Sequence, residues 1–330
     1  MNYKYKISVC IPIYNVEKYV EKCLDSLFRN TIAQECEFVI VNDCSPDNSI
    51  NIVKEVLTRF PALQKNILIL VHNENRGLAA ARNTAFLQAQ GEYIICVDSD
   101  DWVEPDYLEK LYTKAKADCA DIVGCNLYKE FSHKTLRVKN QLNKNPEECL
   151  KSLLDGNTAG WLHEKLIKRS LIVENNIRWI DGLDLWEDVL FSVKIFSYAK
   201  TISQVDKHLY HYRYNFASLV NTFSERSIFN LLSVIDEIKI FLVQRNLYER
   251  FSEHFFKMKM RVKISIICES NNNLRRKYLS IYPEVDQYIW GEKNISLIKR
   301  LAVCMYLSNH RILGSFIIKF IRFIRCMWYK

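Results

Sequence analysis

The sequence predicts an α/β fold, a mostly parallel sheet flanked by helices, followed by a helical C-terminal extension. Four short apolar runs, Ser8 to Tyr14, Glu37 to Val41, Ile67 to Val71 and Tyr93 to Val97, alternate with stretches of helical spacing. Strands alternating with helices of about 10–15 residues are the pattern of βαβ crossovers. Each run also stops at a cluster of polar residues. Right-handed crossovers gather such clusters at one edge of the sheet, where open α/β sheets bind ligands.

The first run, SVCIPIY, is broken by Pro12 and leads into helical spacing at Val20, Leu24, Leu27 and Phe28. The second, EFVIV, stops at Asn42-Asp43; beyond Pro46 and Asp47 the periodic Ile50, Ile52, Val53, Val56 and Leu57 follow. The third run precedes Asn75 to Gly77 and the helix-like Leu78 to Ala89. The fourth ends in Asp98, Asp100 and Asp101, carboxylates that repel one another unless a cation sits among them. All-oxygen donors suit Mg²⁺ or Mn²⁺. The same residues also read as a solvated acidic turn capping the next helix. No glycine-rich loop follows the first strand, no GxGxxG occurs and the chain has 8 Gly, which excludes a dinucleotide oxidoreductase and a P-loop NTPase. A metal is then left to hold any phosphates, and sparse, unpaired histidines argue against zinc.

VCIPIYNVEKYVEKCLDSL, FVIVNDCSPDNS, NENRGLAAARNTAF, GEYIICVDSDDWVEPDYLEKL and WEDVLF resemble, in order, the motifs of the family 2 inverting glycosyltransferases of GT-A fold, of bacterial surface-polysaccharide type. The resemblance runs from about residue 7 to about residue 218. It implies that Pro12, Tyr14, Asn15 and Glu17 wrap the nucleotide base and ribose of a nucleotide-sugar donor, and that Asp43 reads the base by accepting the uracil ring N–H. Arg76 and Arg82 approach the nucleotide, although Arg82 also reads as a helix-surface charge. Asp98 binds ribose or metal, Ser99 belongs with the donor contacts, and Asp100 ligates a Mn²⁺ or Mg²⁺ bridging the two phosphates. Asp101 reads as a cap for a helix entered at Trp102.

An inverting transfer needs a carboxylate on the face opposite the leaving diphosphate to take the acceptor proton. By resemblance Asp188 is that base, Glu187 orients acceptor or donor hydroxyls, and Trp186 stacks on a sugar ring. Two first-turn acids favoured by the helix macrodipole are the alternative. WLHEKLIKRSL resembles the stretch before the base, making Lys165 a donor contact, with Glu164 where Asn is usual. YHYRYNFAS resembles the segment whose Arg213 and Ser218 approach the diphosphate, while His211 reads as a strand-end histidine. Asn42, Cys44 and Pro46 stand where Asp, Gly and Thr are usual.

At 330 residues and 49% hydrophobic content the chain can bury a full core. The expected division is a catalytic domain, 1–218, and a helical region, 219–330. The 11 Cys, without a CxxC, fit buried thiols in a reducing cytosol. The N-terminal apolar run belongs to the first strand, so no signal peptide is expected. From Gly291 onward Lys293, Lys299, Arg300, Arg311, Lys319, Arg322, Arg325 and Lys330 oppose Glu292 alone, so most of the net charge of +8 sits there. On a helix, Arg311, Lys319, Arg322 and Arg325 share one narrow face among Ile312, Leu313, Phe316, Ile317, Phe320, Ile321, Phe323, Ile324 and Trp328. That pattern suits an anionic membrane surface without spanning it. The alternative is a helix packed on the catalytic domain or on a sister subunit of a homo-oligomer. Basic residues beside bulky aliphatics exclude nucleic acid.

The expected function is transfer of a sugar from a UDP-sugar to a hydroxyl of a lipid-linked glycan acceptor in surface polysaccharide biosynthesis, by a cytoplasmic enzyme peripheral to the inner face of the cell membrane. The alternative is a noncatalytic scaffold that binds nucleotide-sugar or glycan in an assembly complex.

Overall fold

ISVCIPI and CEFVIVN, apolar on both faces, form β1 (Ile7–Ile13) and β2 (Cys36–Asn42), and every residue of both strands is buried. Burial on both faces is what a central parallel strand covered by helices requires. The computed structural model describes residues 3–214, 223–293, 295–308 and 310–329, with 325–329 described by their backbone alone. β1 pairs in parallel with β2 on one side and with β4 (Tyr93–Cys96) on the other, and β3 (Ile67–Val71) lies beyond β2. The strand order therefore reverses at β1, which opens a crevice beyond the C-terminal ends of β1 and β4.

α1 (Val20–Phe28), α2 (Ser49–Thr58) and α3 (Leu78–Gln88) make the crossovers. α1 buries Val20, Cys23, Leu24, Leu27 and Phe28, the spacing of a single helical stripe. α3 differs, burying Ala79, Ala80, Ala81, Arg82 and Ala85. Its alanines favour helix and let its backbone lie close to its neighbours, and the helix turns an arginine inward.

Pro12 does not break the first strand, which continues in register with β2 through Ile13. Cys10 faces β4, since its carbonyl accepts from Val97 N, and Pro12 faces the same way two residues on. The ladder with β4 ends at Cys96, so the missing N–H of Pro12 faces no strand.

After β4 come β5 (Trp102–Val103), α4 (Tyr107–Ala117), β6 (Ile122–Glu130), β7 (Thr135–Val138), α5 (Pro146–Asp155), β8 (Lys165–Lys168), α6 (Arg169–Glu174), α7 (Glu187–Tyr198) and β9 (Ile202–Arg213). The sheet runs β3-β2-β1-β4-β8-β6-β9-β5, with β7 paired to β6. β8 is antiparallel to β4 and β6, β9 is parallel to β6, and β5 is antiparallel to β9. The sheet is thus mixed, its parallel pairing concentrated in β3-β2-β1-β4 and β6-β9. Trp102 enters a strand rather than a helix, and α4 starts at Tyr107 after Asp106, so Asp101 caps nothing.

The chain forms two compact units, one from the residues up to Leu153 with Asn157–Tyr214, the other from Leu154–Gly156 and the residues after Tyr214. The second unit contains α8 (Glu225–Gln244), α9 (Tyr248–Glu269), α10 (Asn272–Lys277), α11 (Leu297–Leu307) and α12 (Arg311–Tyr329). α8 begins in a reciprocal cap: Ser224 Oγ accepts from Ser227 N and Ser227 Oγ accepts from Ser224 N. α12 packs on α11 at Gly314, where a Cβ would stand 2.8 Å from Ala302 O and 2.9 Å from Tyr306 N. Arg322, expected on the outer basic face, points inward, its guanidinium donating to Cys268 O at 2.8 Å and Ser270 O at 2.9 Å. It thereby satisfies carbonyls at the end of α9 that have no helical partner. Lys330 and the side chains of Arg325 and Trp328 lie outside the described residues. Among the described residues no helix is long and apolar enough to cross a membrane.

Candidate active site

The loops leaving β1, β2, β3 and β4 meet at the crevice. Asn15, Cys44 and Trp186 have positive φ there without being glycine, as does Gly77. Such conformations are costly for side-chain-bearing residues and concentrate at functional sites.

The first two loops are clasped by hydroxyls and a carboxylate. Asn15 N donates to Ser45 Oγ at 2.8 Å, Val16 N to Ser49 Oγ at 3.0 Å and Glu17 N to Asp47 Oδ2 at 2.8 Å. Burial pushes the Asp47 carboxyl up, but the hydroxyls of Ser45 and Ser49 and the Glu17 N–H hold it down at about 2. Glu17 Oε2 accepts from Asn48 N at 3.0 Å, so this carboxylate shapes the loop. Tyr14 projects into solvent, while Pro12 is buried in the strand.

Asp43, at the end of β2, is buried and accepts from Arg76 N at 3.0 Å, Gly77 N at 2.8 Å and His72 Nδ1 at 2.6 Å. The other His72 nitrogen, Nε2, lies 2.9 Å from Thr84 Oγ1 on α3. His72, absent from the sequence reading, therefore ties the proposed base-reading carboxylate to α3. The Arg76 guanidinium points to Asp181 at 2.9 Å and is exposed.

Arg82 links the two acidic motifs. It is 5% exposed, and its Nη2 donates to Asp98 Oδ1 at 3.0 Å while its Nη1 donates to Glu187 Oε1 at 2.7 Å. The helix-surface alternative fails because the alanine face of α3 turns this residue inward. Burial opposes the charge on Arg82, but Asp98 and Glu187 more than offset it, so the group stays cationic. For Asp98, burial acts upward and Arg82 downward, and the net result is a depressed carboxyl.

The remaining carboxylates of the strand-end cluster are pushed up, Asp100 by burial and the charge of Asp98, Asp101 by burial and the charges of Asp100 and Asp98. Asp100 Oδ2 accepts from Arg213 Nη2 at 2.5 Å, and that guanidinium lies 3.6 Å from the ring centre of Tyr19. Asp101 accepts from Tyr210 OH and from Arg213 N, each at 2.7 Å. Ser99, which precedes Asp100, is buried.

Asp98, Asp101 and His163 offer ligand atoms that all lie within 4.8 Å of one another. The His163 ring stacks on Tyr210 at 4.3 Å, puts Nδ1 3.4 Å from Asp98 and leaves its buried Nε2 without a partner among the described residues. Two carboxylates and an imidazole, beside a third carboxylate raised by their charge, fit a hard divalent cation such as Mn²⁺. The expected pair was Asp98 and Asp100. Asp98 stands in the cluster, whereas Asp100 is turned to Arg213, and Asp101 and His163 join Asp98 instead.

Lys165 makes no outward contact. It is wholly buried, and its ammonium donates to Ala159 O at 3.2 Å, to Trp161 O and to Glu164 Oε1 at 2.9 Å. The direct donor contact is thus replaced by an internal one. The acid that replaces the usual asparagine balances the lysine and fixes the loop carrying His163.

Glu187 and Asp188 occupy the first turn of α7, after Trp186 at φ 61°. Burial and the neighbouring charge of Asp188 raise Glu187 to about 7, and burial also raises Asp188. Asp188 Oδ1 accepts from Val189 N at 2.8 Å. The loop before this turn is fastened to α3: Asn83 Nδ2 donates to Trp179 O at 3.0 Å and to Asp181 Oδ1 at 2.9 Å, and Asp184 Oδ1 accepts from Ala79 N at 3.2 Å. A Cβ on Gly77 would lie 2.6 Å from Asp184 Oδ2. Ser218 lies outside the described residues.

Residues 8–174 match the model of glycosyl transferase family 2. The putative glycosyltransferase EpsH of Bacillus subtilis is 33% identical over 252 residues, covering 74% of this chain and 71% of that protein. The cholesterol galactosyltransferase of Borreliella burgdorferi is 29% identical over 273 residues, covering 77% and 74% respectively. The poly(ribitol-phosphate) beta-N-acetylglucosaminyltransferase TarS of Staphylococcus aureus is 30% identical over 209 residues, which cover 63% of this chain and 35% of TarS. The crystal structure of TarS 1-349 in complex with UDP-GlcNAc resembles this fold with a TM-score of 0.64, covering 93% of this chain and 82% of that one at 22% identity.

Proposed function

The chain belongs to glycosyl transferase family 2 and is a glycosyltransferase; on that premise we propose that it transfers one sugar from a UDP-sugar, with inversion, to a hydroxyl of a lipid-linked surface glycan. The observation that carries this reading is the Arg82 bridge, which joins the strand-end carboxylate Asp98 to the acidic turn at Glu187. UDP-GlcNAc is the ligand of TarS, a protein of like fold. The names of TarS and of the cholesterol galactosyltransferase supply a polymer and a lipid as acceptor precedents.

Asp188 takes the proton of the acceptor hydroxyl as its oxygen bonds to the anomeric carbon and the bond from that carbon to the diphosphate oxygen breaks. A carboxyl raised by burial is a stronger base at neutral pH than an exposed one. Glu187 orients a hydroxyl and, through Arg82, shares its position with Asp98. Asp43, held by His72 and two backbone amides, receives the base ring N–H, with the Tyr14–Glu17 loop beside it. Asp98, Asp101 and His163, with Asp100 adjacent, would hold Mn²⁺ or Mg²⁺. When bound, that ion neutralises charge developing on the leaving diphosphate. Residues 1–218 form the catalytic domain, and 219–330 hold it at the cytoplasmic face of an anionic membrane through 311–330.

A panel of nucleotide-sugars tested with Mn²⁺ or Mg²⁺ for slow donor hydrolysis needs no knowledge of the acceptor. A UDP-sugar should turn over, and both chelation and Asp98→Asn should abolish the signal. Full turnover in excess EDTA would remove the metal from the proposal. UDP binding without hydrolysis of any donor would favour a scaffold.

A further inference from the structure

The outer side of α12 carries two features that the catalytic reading does not use. The first is an apolar stripe, Ile312, Phe316, Phe320 and Phe323, at the spacing of one helix face, with Ile312 91% and Phe316 69% exposed. The opposite side of the helix packs inward through Gly314, Ile318 and Arg322. The second is a cavity of about 290 Å³ at the N-terminal end of this stripe, with Arg276 of α10 and Arg311 and Lys319 of α12 around it. Asn272 and Ser315 add polar groups, Tyr306 lines it from α11, and no carboxylate lines it.

These three cations are set apart from their neighbours. Lys277 pairs with Glu225, Lys299 with Glu269, and Arg300 donates to Trp290 O. Among the described residues Arg276, Arg311 and Lys319 have no acidic partner. Beneath them a fourth cation, Arg275, is buried and held by Ile267 O at 2.6 Å and Ser270 O at 2.8 Å, with Ser315 Oγ 3.4 Å from its Nη1. The recess is therefore a concentration of uncompensated positive charge with a hydroxyl and an amide at its edge, and it opens beside an aromatic stripe. An occupant must present a compact anion next to hydrocarbon.

We propose that this recess binds the phosphate of an anionic phospholipid headgroup, while Ile312, Phe316, Phe320 and Phe323 enter the acyl region beside it. The proposal rests on the membrane-facing reading of residues 311–330 and gives it a defined site. A purely diffuse attraction would depend on the number of cations. A headgroup site depends on these three.

The test is co-sedimentation of the full chain with liposomes of phosphatidylcholine alone or mixed with phosphatidylglycerol. R276Q/R311Q/K319Q is compared with K54Q/K65Q/K200Q, which removes equal charge from exposed lysines of the other unit, and donor hydrolysis is followed in both. The recess variant should bind the mixed vesicles roughly 100-fold more weakly at low salt, the control within about threefold of wild type, and hydrolysis should be unchanged in both. F316S/F320S should weaken binding to both kinds of vesicle. Equal losses in the two charge variants overturn the headgroup site while leaving membrane association standing, whereas failure of the wild-type chain to sediment with phosphatidylglycerol removes both. Saturation by inorganic phosphate with no preference for vesicles would assign the recess to a soluble phosphate compound and overturn the proposal. A wild-type dimer that F316S/F320S dissociates, without any effect on lipid, would give the face to a second copy and also overturn it.

Discussion

Replacing Arg82 by methionine keeps roughly the length of the side chain and removes the one cation that, among the described residues, touches both acidic motifs. The wild-type guanidinium makes two charge-assisted hydrogen bonds, to Glu187 at 2.7 Å and Asp98 at 3.0 Å, at 5% exposure. Breaking one side of a buried ion pair costs about 3–5 kcal/mol, because the partners are left charged and unpaired. The cost depends on pH. Glu187 titrates at about 7 in the folded chain against an ordinary value of 4.5, so the folded state holds the extra proton between those values and loses stability as pH rises through that window. Without Arg82, which lowers Glu187, the window extends further upward. Asp98 behaves oppositely: its depressed carboxyl stabilises the fold above its ordinary value of 3.8, and R82M removes the part of that contribution that the arginine supplies, leaving the part from His163. The Asp98 loss is present at both pH 5 and pH 8, and the Glu187 change adds to it as pH rises, so R82M should lose more at pH 8 than at pH 5. Urea unfolding should show a deficit of about 3 kcal/mol at pH 8, and melting should fall by roughly 6–12 °C. If turnover needs Glu187 ionised, the acid limb of donor hydrolysis should move upward in R82M. R82K should fall between the two, since an ammonium cannot fork to two carboxylates as a guanidinium does. An R82M chain with the wild-type urea midpoint at pH 8 and an unshifted acid limb would show that the bridge neither stabilises the site nor tunes Glu187.

Asp188→Asn keeps the shape of the base but cannot take a proton, so transfer should fall by about 10²–10⁴ with UDP-sugar binding near wild type; parallel collapse of binding and folding would make Asp188 structural. His72→Ala removes the 2.6 Å partner of Asp43 and should raise the donor KM about tenfold with little change in kcat, measured on donor hydrolysis. An equal loss in kcat would argue that His72 acts elsewhere. Gly77→Ala places a methyl 2.6 Å from Asp184 at φ +89°, and should destabilise the fold by about 2 kcal/mol or more and depress turnover by displacing the loop before α7; an unchanged melting curve would contradict that packing.

β1, β2 and β4 were legible because burial on both faces gives continuous apolar runs, the partly exposed β3 because ILILV is apolar throughout, and α1 and α2 because they carry clear stripes. β6, β8 and β9 were not. IVGCNLYKE and ISQVDKHLYHYR mix polar with apolar residues, and KLIK has four residues, so their identity depends on pairing with distant partners. α3 was legible as a helix but not in its orientation, since alanines at 79, 80 and 81 leave no apolar stripe to show which side faces inward. That is why Arg82 also read as a surface charge. His72 directly follows β3, and the strand-end reasoning that singles out Asp43 and Asp98 reaches it as well. His163 had no comparable signal: it stands in a turn, and its approach to Asp98 goes with stacking on Tyr210 of β9, a strand of which the sequence marked only the end, at His211.

The scarcity of glycine has a counterpart in the way the site treats negative charge. In nucleotide-binding α/β folds that use glycine-rich loops, backbone amides at a helix N-terminus receive the phosphates. Here those amides meet the chain's own carboxylates. Ala79 N, in the first turn of α3, donates to Asp184, and the amides of Arg76 and Gly77 donate to Asp43. The first turn of α7 carries Glu187 and Asp188. With the amides of Arg76, Gly77 and Ala79 engaged by carboxylates, a diphosphate arriving in the crevice would meet acids at the start of α3, and Arg82 is already shared between two acids. Under the proposed reading, its charge must be met by side-chain cations such as Arg213 and by a divalent ion among Asp98, Asp100, Asp101 and His163. In that reading, acids at the starts of α3 and α7 go together with a carboxylate cluster able to bring in a metal. The same acids fasten the loop before α7 and the base-reading turn to α3, so the arrangement that engages the amides at the start of α3 also holds the proposed base and the base-reading carboxylate in place.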